Sequence, residues 1–336
     1  MEVPYCLAFG PFSAHPGATA AASQPTKVPT MQILETERLR LRWFDDSDVP
    51  FILGLINEPS WKANIADPGV STPEQARQWM RDRLLNRYWA QGHGFWCVER
   101  KEDGERLGLA GLIHREGLPE PDLGYGLAER HWGRGYAREA ASAALRYAHE
   151  VLGLRHLLAT TAPHNDSSGR VLMDIGFQDL GLQQTEAHEG LSRVYEWRSP
   201  EPAGDDAQQL RALVQRFLGA FDNRAGRLPQ LAALPHWMLP EARIVVRQGD
   251  ALTSLGLREF IEPRAEAFAS GALQDFHEWI EDLHVEHEGG LAQLRLRYAK
   301  AGRRDGQAFE GRGLKLLQCV KTARGWKIAA VLWEDA

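Results

Sequence analysis

Apolar residues recur along this chain in two rhythms, period two and period near 3.6, and the switches between them lay out the elements. Residues 32–43 set Leu34, Thr36, Leu39, Leu41 and Trp43 between charged neighbours, which predicts a strand. A helix follows, with Asp45 or Asp46 as its cap and Phe51, Leu53, Leu55 and Ile56 among its apolar positions. A second helix begins near Pro73, behind the capping residues Ser71 and Thr72, and runs to about Trp89. Strands at 94–100 and 106–114 are joined by a turn at Asp103-Gly104, and another strand covers 122–127. A helix that ends near Leu152-Gly153, a strand at 155–161, a helix at 166–175 and a last strand at 191–197 complete this half.

Residues 199–206, Ser-Pro-Glu-Pro-Ala-Gly-Asp-Asp, read as a linker. Beyond it, Leu210, Leu213, Val214, Phe217 and Leu218 give residues 207–221 one apolar helical face. Strand-like runs follow at 242–247, 274–287, 291–300, 312–322 and 325–334. Turn signals separate the last four, which predicts an antiparallel meander with helices ahead of it, an α+β arrangement. No internal repeat relates the halves.

The length of 336 residues favours two domains, and the 43% hydrophobic content supplies two cores. A formal net charge of -6 argues against nucleic acid and anionic membranes as partners. No run approaches the ~20 apolar residues that cross a bilayer. Cys6, Cys97 and Cys319 are too few and too scattered for a disulfide framework or a zinc cluster, which suits reduced thiols and a cytoplasmic location. Residues 1–30 are rich in Ala, Pro, Gly and Ser without periodicity and read as a disordered extension, with Met31 a candidate start. The division expected is therefore 1–30 extension, 31–198 first domain, 199–206 linker and 207–336 second domain.

Between the strand at 122–127 and the helix after it stands Arg130-His131-Trp132-Gly133-Arg134-Gly135-Tyr136-Ala137. A diphosphate needs several backbone N–H groups converging on it with no side chain in the way. Glycine permits that approach, and a helix N-terminus adds unpaired N–H groups and the favourable dipole end. A plain Gly-rich turn is the bland alternative. A dinucleotide fingerprint needs a third glycine where Arg138 stands, and a nucleoside-triphosphate loop needs Gly-Lys-Ser/Thr, which is absent. Coenzyme A is the remaining ligand.

The fragment from Trp132 to Ala140 resembles the acetyl-CoA signature of the GNAT acetyltransferase superfamily, whose loop reads Arg/Gln-x-x-Gly-x-Gly/Ala; Arg130, Gly133 and Gly135 match it. The stretch from Asn165 through Ser168 to Gly176-Phe177 resembles the Asn-x-x-Ser…Gly-Phe segment of the branch that acetylates ribosomal-protein N-termini and related amines. Glu35-Thr-Glu-Arg-Leu-Arg-Leu-Arg42 is typical of that branch as well. The resemblance covers roughly 32–198. One departure is Gly169, where the family usually carries Arg or another helix former.

The resemblance implies a mixed sheet flanked by helices that splays apart beside strand 122–127, with the pantetheine arm of acetyl-CoA lying in the gap like an added strand. Residues 130–137, Asn165 and Ser168 would hold the cofactor, with a backbone N–H of strand 106–114 polarising the thioester. Catalysis would be direct attack by an amine, from a small molecule or a peptide, and would need a base. His114 and Glu116 are the candidates, at the end of the strand that faces the thioester, with Asp122 and Tyr125 on the next strand. By the same resemblance Asn165 contacts pantetheine or an ordered water, and Ser168 protonates the leaving thiolate. The local alternative is that both cap helix 166–175, and the two roles are compatible. Glu116, Glu120 and Asp122 form an acidic rim that would attract a cationic amine.

Residues 207–336 resemble the cone-shaped α+β barrels of the nuclear transport factor two superfamily, which includes ketosteroid isomerase and polyketide-cyclase-like proteins. The resemblance rests on helix 207–221, Phe260-Ile261, the meander and the last strand Gly325-Trp-Lys-Ile-Ala-Ala-Val-Leu-Trp333. It implies a pocket, with Trp237, Phe276, Trp279 and Tyr298 as lining candidates and Asp282 or Glu278 as an acid, and a homodimer through the open sheet face. The run from His277 to His287 lacks the His-Glu-x-x-His order, so no metal is expected. The reading is a two-domain N-acetyltransferase. The alternatives are an acyl-CoA sensor, or isomerase or cyclase chemistry in the second domain.

Overall fold

The computed structural model describes residues 5–6, 31–185, 190–201 and 204–335. Apart from Tyr5 and Cys6, the expected extension lies outside the described residues, as do positions 202 and 203 of the linker. Two units form, Met1–Arg87 with His93–Pro200, and Tyr88–Gly92 with Glu201–Ala336.

The first unit is built on a nine-stranded sheet. Its strands are β1 (Tyr5–Cys6), β2 (Gln32–Glu35), β3 (Leu39–Arg42), β4 (Phe95–Arg100), β5 (Arg106–Ile113), β6 (Asp122–Leu127), β7 (His156–Thr161), β8 (Gln178–Gln184) and β9 (Leu191–Arg198). The main path runs β2-β3-β4-β5-β6-β7-β9-β8, with β1 on β6. Among the described residues, α1 (Val49–Leu55), α2 (Pro59–Asn64), α3 (Pro73–Met80), α5 (Tyr136–Arg146) and α6 (Asp166–Asp174) accompany it, while α4 (Asn86–Gln91) passes into the second unit from Tyr88 on.

Several expectations need amendment. The single strand expected at 32–43 is a hairpin, because Thr36 N–H and Oγ1 both turn back to the Leu39 carbonyl. The turn shifts the inward set in β2, so Ile33 is the buried residue rather than Leu34. The cap at Asp45 is reciprocal with Asp48, and Thr72 rather than Ser71 caps α3 in a box with Gln75. The short strand β8 went unforeseen. It is an edge strand, mostly exposed and interrupted by Gly181, so no apolar alternation announces it.

In the second unit, α7 (Asp206–Gly219) buries all five residues of its apolar face, each side chain contributing about 1.5–3 kcal/mol. After α8 (Leu234–Trp237) come β10 (Met238–Gln248), β11 (Ala251–Leu255), α9 (Leu257–Ala269), β12 (Leu273–Glu288), β13 (Leu291–Arg304), β14 (Gln307–Thr322) and β15 (Gly325–Asp335). The sheet order is β11-β10-β15-β14-β13-β12. The last four strands are the expected antiparallel meander, while β10 joins β15 in parallel and β11 is an additional edge strand. Among the described residues, no helix is long and apolar enough to cross a membrane.

Candidate functional site

The loop before α5 has the backbone that an anion cradle requires. Gly133 sits at φ +71° and Gly135 at +79°, in the left-handed region that L side chains rarely adopt. Gly135 is the N-cap of α5 and offers no side-chain cap, so the first N–H groups of the helix point outward without an intrahelical carbonyl. Gly133, Arg134 and Gly135 are exposed, and a Cβ at Gly133 would meet only open space.

Its foundation comes from two directions. His131 and Trp132 spend their backbone N–H groups on Ala128 and Glu129, and Trp132 Nε1 donates to the Leu127 carbonyl at 2.8 Å. His131 is buried with Nε2 3.3 Å from Glu105, and burial lowers its pKa. Both side chains anchor the loop from beneath. On the other side, Glu139 in the first turn of α5 accepts from Thr36 Oγ1 at 2.5 Å and Arg38 N at 3.0 Å, and pairs with the Arg38 guanidinium at 2.6 Å. Arg38 also donates to the Arg134 carbonyl at 3.0 Å and lies over the Tyr136 ring. Burial works to raise the Glu139 carboxyl, but the bonds from Thr36 and Arg38 outweigh it and hold its pKa below the ordinary value. The opening Glu-Thr-Glu-Arg segment and the Gly-rich segment are thus two halves of one clamp. Arg130 is largely exposed, 3.3 Å from Glu105.

Beside this loop the sheet opens. β6 and β7 run parallel but pair only at Asp122 and Leu158, then diverge. In the gap, β1 pairs with β6 through Tyr5 and Gly126 and through Cys6 and Tyr125. An extended chain therefore fits the edge of β6 that faces the gap.

The N-terminus of α6 faces the same strand. Asn165 is buried and caps α6, accepting from Ser168 N and Ser167 Oγ at 3.1 Å each. Ser168 is fully buried, its carbonyl accepts from Tyr125 Oη at 3.2 Å, and its hydroxyl has no hydrogen-bond partner among the described residues. Such an unmet group costs about 1–3 kcal/mol. Gly169 has a local reason: a Cβ there would collide with the Tyr195 hydroxyl from β9.

At the end of β5, His114 is half-buried and Glu116 is exposed. The acidic rim is not there. Asp122 is buried in an ion pair with buried Arg115 at 2.8 Å, and Glu120 lies 3.2 Å from His156. Instead the region is cationic: Arg87 donates to the His114 carbonyl, and burial, then the charges of Arg115 and Arg83, lower the Arg87 pKa.

In the second unit, Phe276, Tyr298 and Glu278 line a cavity of about 290 Å³. Trp279 is 40% exposed and Trp237 is buried outside the cavity lining, so neither belongs to it. Asp282 is exposed, leaving Glu278 as the acid of the two that lines the cavity. His284 and His287 both lie on β12, three residues apart and so on opposite faces. Sequence reading missed Glu139 as the partner of the opening segment, and also Tyr195. The first was findable as the acidic residue of the first helical turn, while the second carries no local signal.

Residues 38–178 match the family described as Acetyltransferase (GNAT) domain. The chain is 35% identical over 148 residues to the uncharacterized protein YkkB of Bacillus subtilis (strain 168), covering 43% of this chain and 83% of that protein. It is 29% identical over 101 residues to the ribosomal protein uS5 alanine N-acetyltransferase of Escherichia coli (strain K12), covering 29% of this chain and 52% of that enzyme. Among solved structures, the acetyltransferase from Agrobacterium tumefaciens str. C58 is 30% identical, with a TM-score of 0.43, over 54% of this chain and all (100%) of that one.

Proposed function

This chain belongs to the GNAT acetyltransferase family and is an acetyltransferase; from that premise we propose that it transfers an acetyl group from acetyl-CoA directly to a primary amine, on a protein N-terminus or a small molecule. The observation that carries the reading is the pair of positive-φ glycines capping α5, clamped through Glu139, beside the gap between β6 and β7.

The residues fit the cofactor. Gly133, Gly135 and the first N–H groups of α5 would hold the diphosphate, with Arg130 and Arg134 adding charge from the exposed side. The edge of β6 that now holds β1 would take the pantetheine arm in its place. When bound, acetyl-CoA supplies the activated acyl group and a thiolate leaving group. Ser168, with its hydroxyl unpaired at the α6 terminus, would give a proton to that sulfur, and Asn165 sets the turn that aims it. His114 is the preferred base of the two candidates, being half-buried where β5 ends, while Glu116 is exposed to solvent. The arginines around Asp122 would favour an amine that also carries a carboxylate.

In this reading the second unit, residues 207–336, is an accessory domain of the nuclear transport factor two type. Two helices, a four-strand meander and a cavity support that view, and the unit would pair copies of the chain. Buried, unpaired Cys97 and Cys319 suit a cytoplasmic setting.

The test is calorimetric titration with acetyl-CoA followed by thiol release across amines with and without a carboxylate. Gly135→Val should weaken acetyl-CoA binding at least about tenfold, since a β-branched residue at positive φ costs roughly 1–3 kcal/mol of strain and fills the cradle. Wild-type affinity in that variant, with the fold intact, would overturn the reading. A chain beginning at Met31 should bind at least as tightly as the full chain, because β1 no longer competes for β6.

A further inference from the structure

The cavity of the second unit lies between α7, α9 and the inner face of the meander, and its walls and charges do not match. The walls are aromatic. Phe217, Phe221, Phe260 and Trp333 form an edge-to-face chain with ring centroids 5.8–5.9 Å apart, and Phe276 stacks on Phe309 at 6.1 Å. Within these walls stand four cations, Arg264, Lys300, Arg304 and Lys315, and one carboxylate, Glu278.

Two of the cations are neutralised. Lys315 is buried, 2.6 Å from Glu278, with its ammonium over the Tyr298 ring at 3.2 Å. Lys300 pairs with Asp335 at 2.7 Å, and Asp335 also accepts from the Tyr298 hydroxyl. Arg264 and Arg304 have no carboxylate within ion-pair distance among the described residues. Arg304 is exposed, whereas Arg264 is half-buried. Its one hydrogen bond is Nη1 to the Phe260 carbonyl at 2.7 Å, one turn back on α9, and its guanidinium lies 3.8 Å over the Phe260 ring. The Trp333 ring lies 5.7 Å from it, and most of the five donors of the fork, at the wall of the cavity, have no acceptor among the described residues. Burial pushes the Arg264 pKa down to about 10; the Glu278 carboxylate, out of ion-pair reach, opposes the shift and Arg304 adds to it. The group still remains charged at neutral pH. A desolvated cation without a counter-ion is costly, and a ligand that carries the anion would remove the cost.

We propose that this cavity binds a small aromatic carboxylate, its ring held among the phenylalanines and its charge received by Arg264. The volume of about 290 Å³ lies just below the roughly 300–1,000 Å³ of typical ligand pockets, which suits one ring or a fused pair. One enclosed, unpaired guanidinium matches a planar monoanion in a bidentate contact. Glu278, already held by Lys315, does not compete for it.

The probes are 1-naphthylacetate and its neutral amide, equal in shape and different in charge, titrated calorimetrically into the full chain. The carboxylate should bind at least about tenfold more tightly than the amide. Arg264→Gln should bring the two to parity by weakening only the carboxylate. Ala267→Trp, which fills the cavity from α9, should abolish both. Equal affinity in the wild type, a preference that survives Arg264→Gln, or no binding of either probe at millimolar concentration would overturn the proposal. The wild-type comparison decides it even where a variant fails to fold.

Discussion

Two arginines, one in each unit, are taken out of water with opposite outcomes. Arg42 on β3 is buried, yet both of its terminal nitrogens meet Asp48 at 2.8 Å, and Glu99 pairs with it at 2.6 Å. Burial alone would lower its pKa, but the bonds from Asp48 and Glu99 outweigh that and raise it. Arg264 meets no carboxylate, and burial wins. The first is a closed ionic cluster that holds a strand to the turn beside it. The second is an open charge, which structure alone does not require. The difference separates charge that maintains a fold from charge that awaits a ligand.

The largest expected effect breaks the closed cluster. Asp48 is fully buried and also takes Arg106 and the Asp45 N–H. Asp48→Ala leaves buried Arg42 with Glu99 as its one carboxylate and should cost about 3–5 kcal/mol, read as a lowered first-unit transition in scanning calorimetry. In the second unit, removing both charges of the cavity pair, Glu278→Leu with Lys315→Met, should be near neutral, because the two desolvation penalties vanish together. A loss as large as that of Asp48→Ala would mean that both clusters are structural and would erase the contrast.

The same contrast explains what was legible in the sequence. The loop at 130–137 works through backbone, so its requirement for two glycines and a following helix is written in consecutive residues. Asn165 and Ser168 cap one helix and are likewise adjacent in sequence. The cavity of the second unit gathers Arg264 from α9, Glu278 from β12, Tyr298 from β13, Lys315 from β14 and Trp333 from β15. Each is an ordinary residue in its own strand or helix, and only the sheet register brings them together. The acidic rim misled for a related reason. Glu116, Glu120 and Asp122 are near in sequence, but Arg115 and His156 engage two of them in space.

A middle-sized effect sharpens the account of Gly169, the departure in an otherwise matching segment. Gly169→Ala gains up to about 1 kcal/mol of helix propensity, but its methyl meets the Tyr195 hydroxyl, and overpacking costs about 1–3 kcal/mol. The variant should be less stable than wild type. In a Tyr195→Phe background the clash is gone, and the same substitution should be neutral or stabilising. Urea denaturation of the four proteins gives the coupling directly, and additive effects would show that Tyr195 is not the reason for the glycine.

The smallest effect tests whether uncompensated burial of cations extends along the second unit. Lys327 on β15 donates to the His236 carbonyl and has no carboxylate within ion-pair distance among the described residues. Burial, with the charge of Arg324 behind it, pulls its pKa to about 8 from the ordinary lysine value of 10.5. Between those values the unfolded chain keeps the proton and the folded chain releases it. The unfolded state then binds more protons, so this group makes stability rise as pH increases from 8. Cys319 opposes it higher up, since burial raises that thiol to about 12 from its ordinary value of 9.0, and stability falls above pH 9 as the unfolded thiol ionises. The informative quantity is therefore the difference between wild type and Lys327→Met, in which Cys319 and Lys315 cancel. Measured by urea denaturation at pH 7.5, 8.5 and 9.5, the wild type should gain on the variant at each step. A constant difference across the series would mean that Lys327 keeps its proton, and that the carbonyl contact alone compensates its burial.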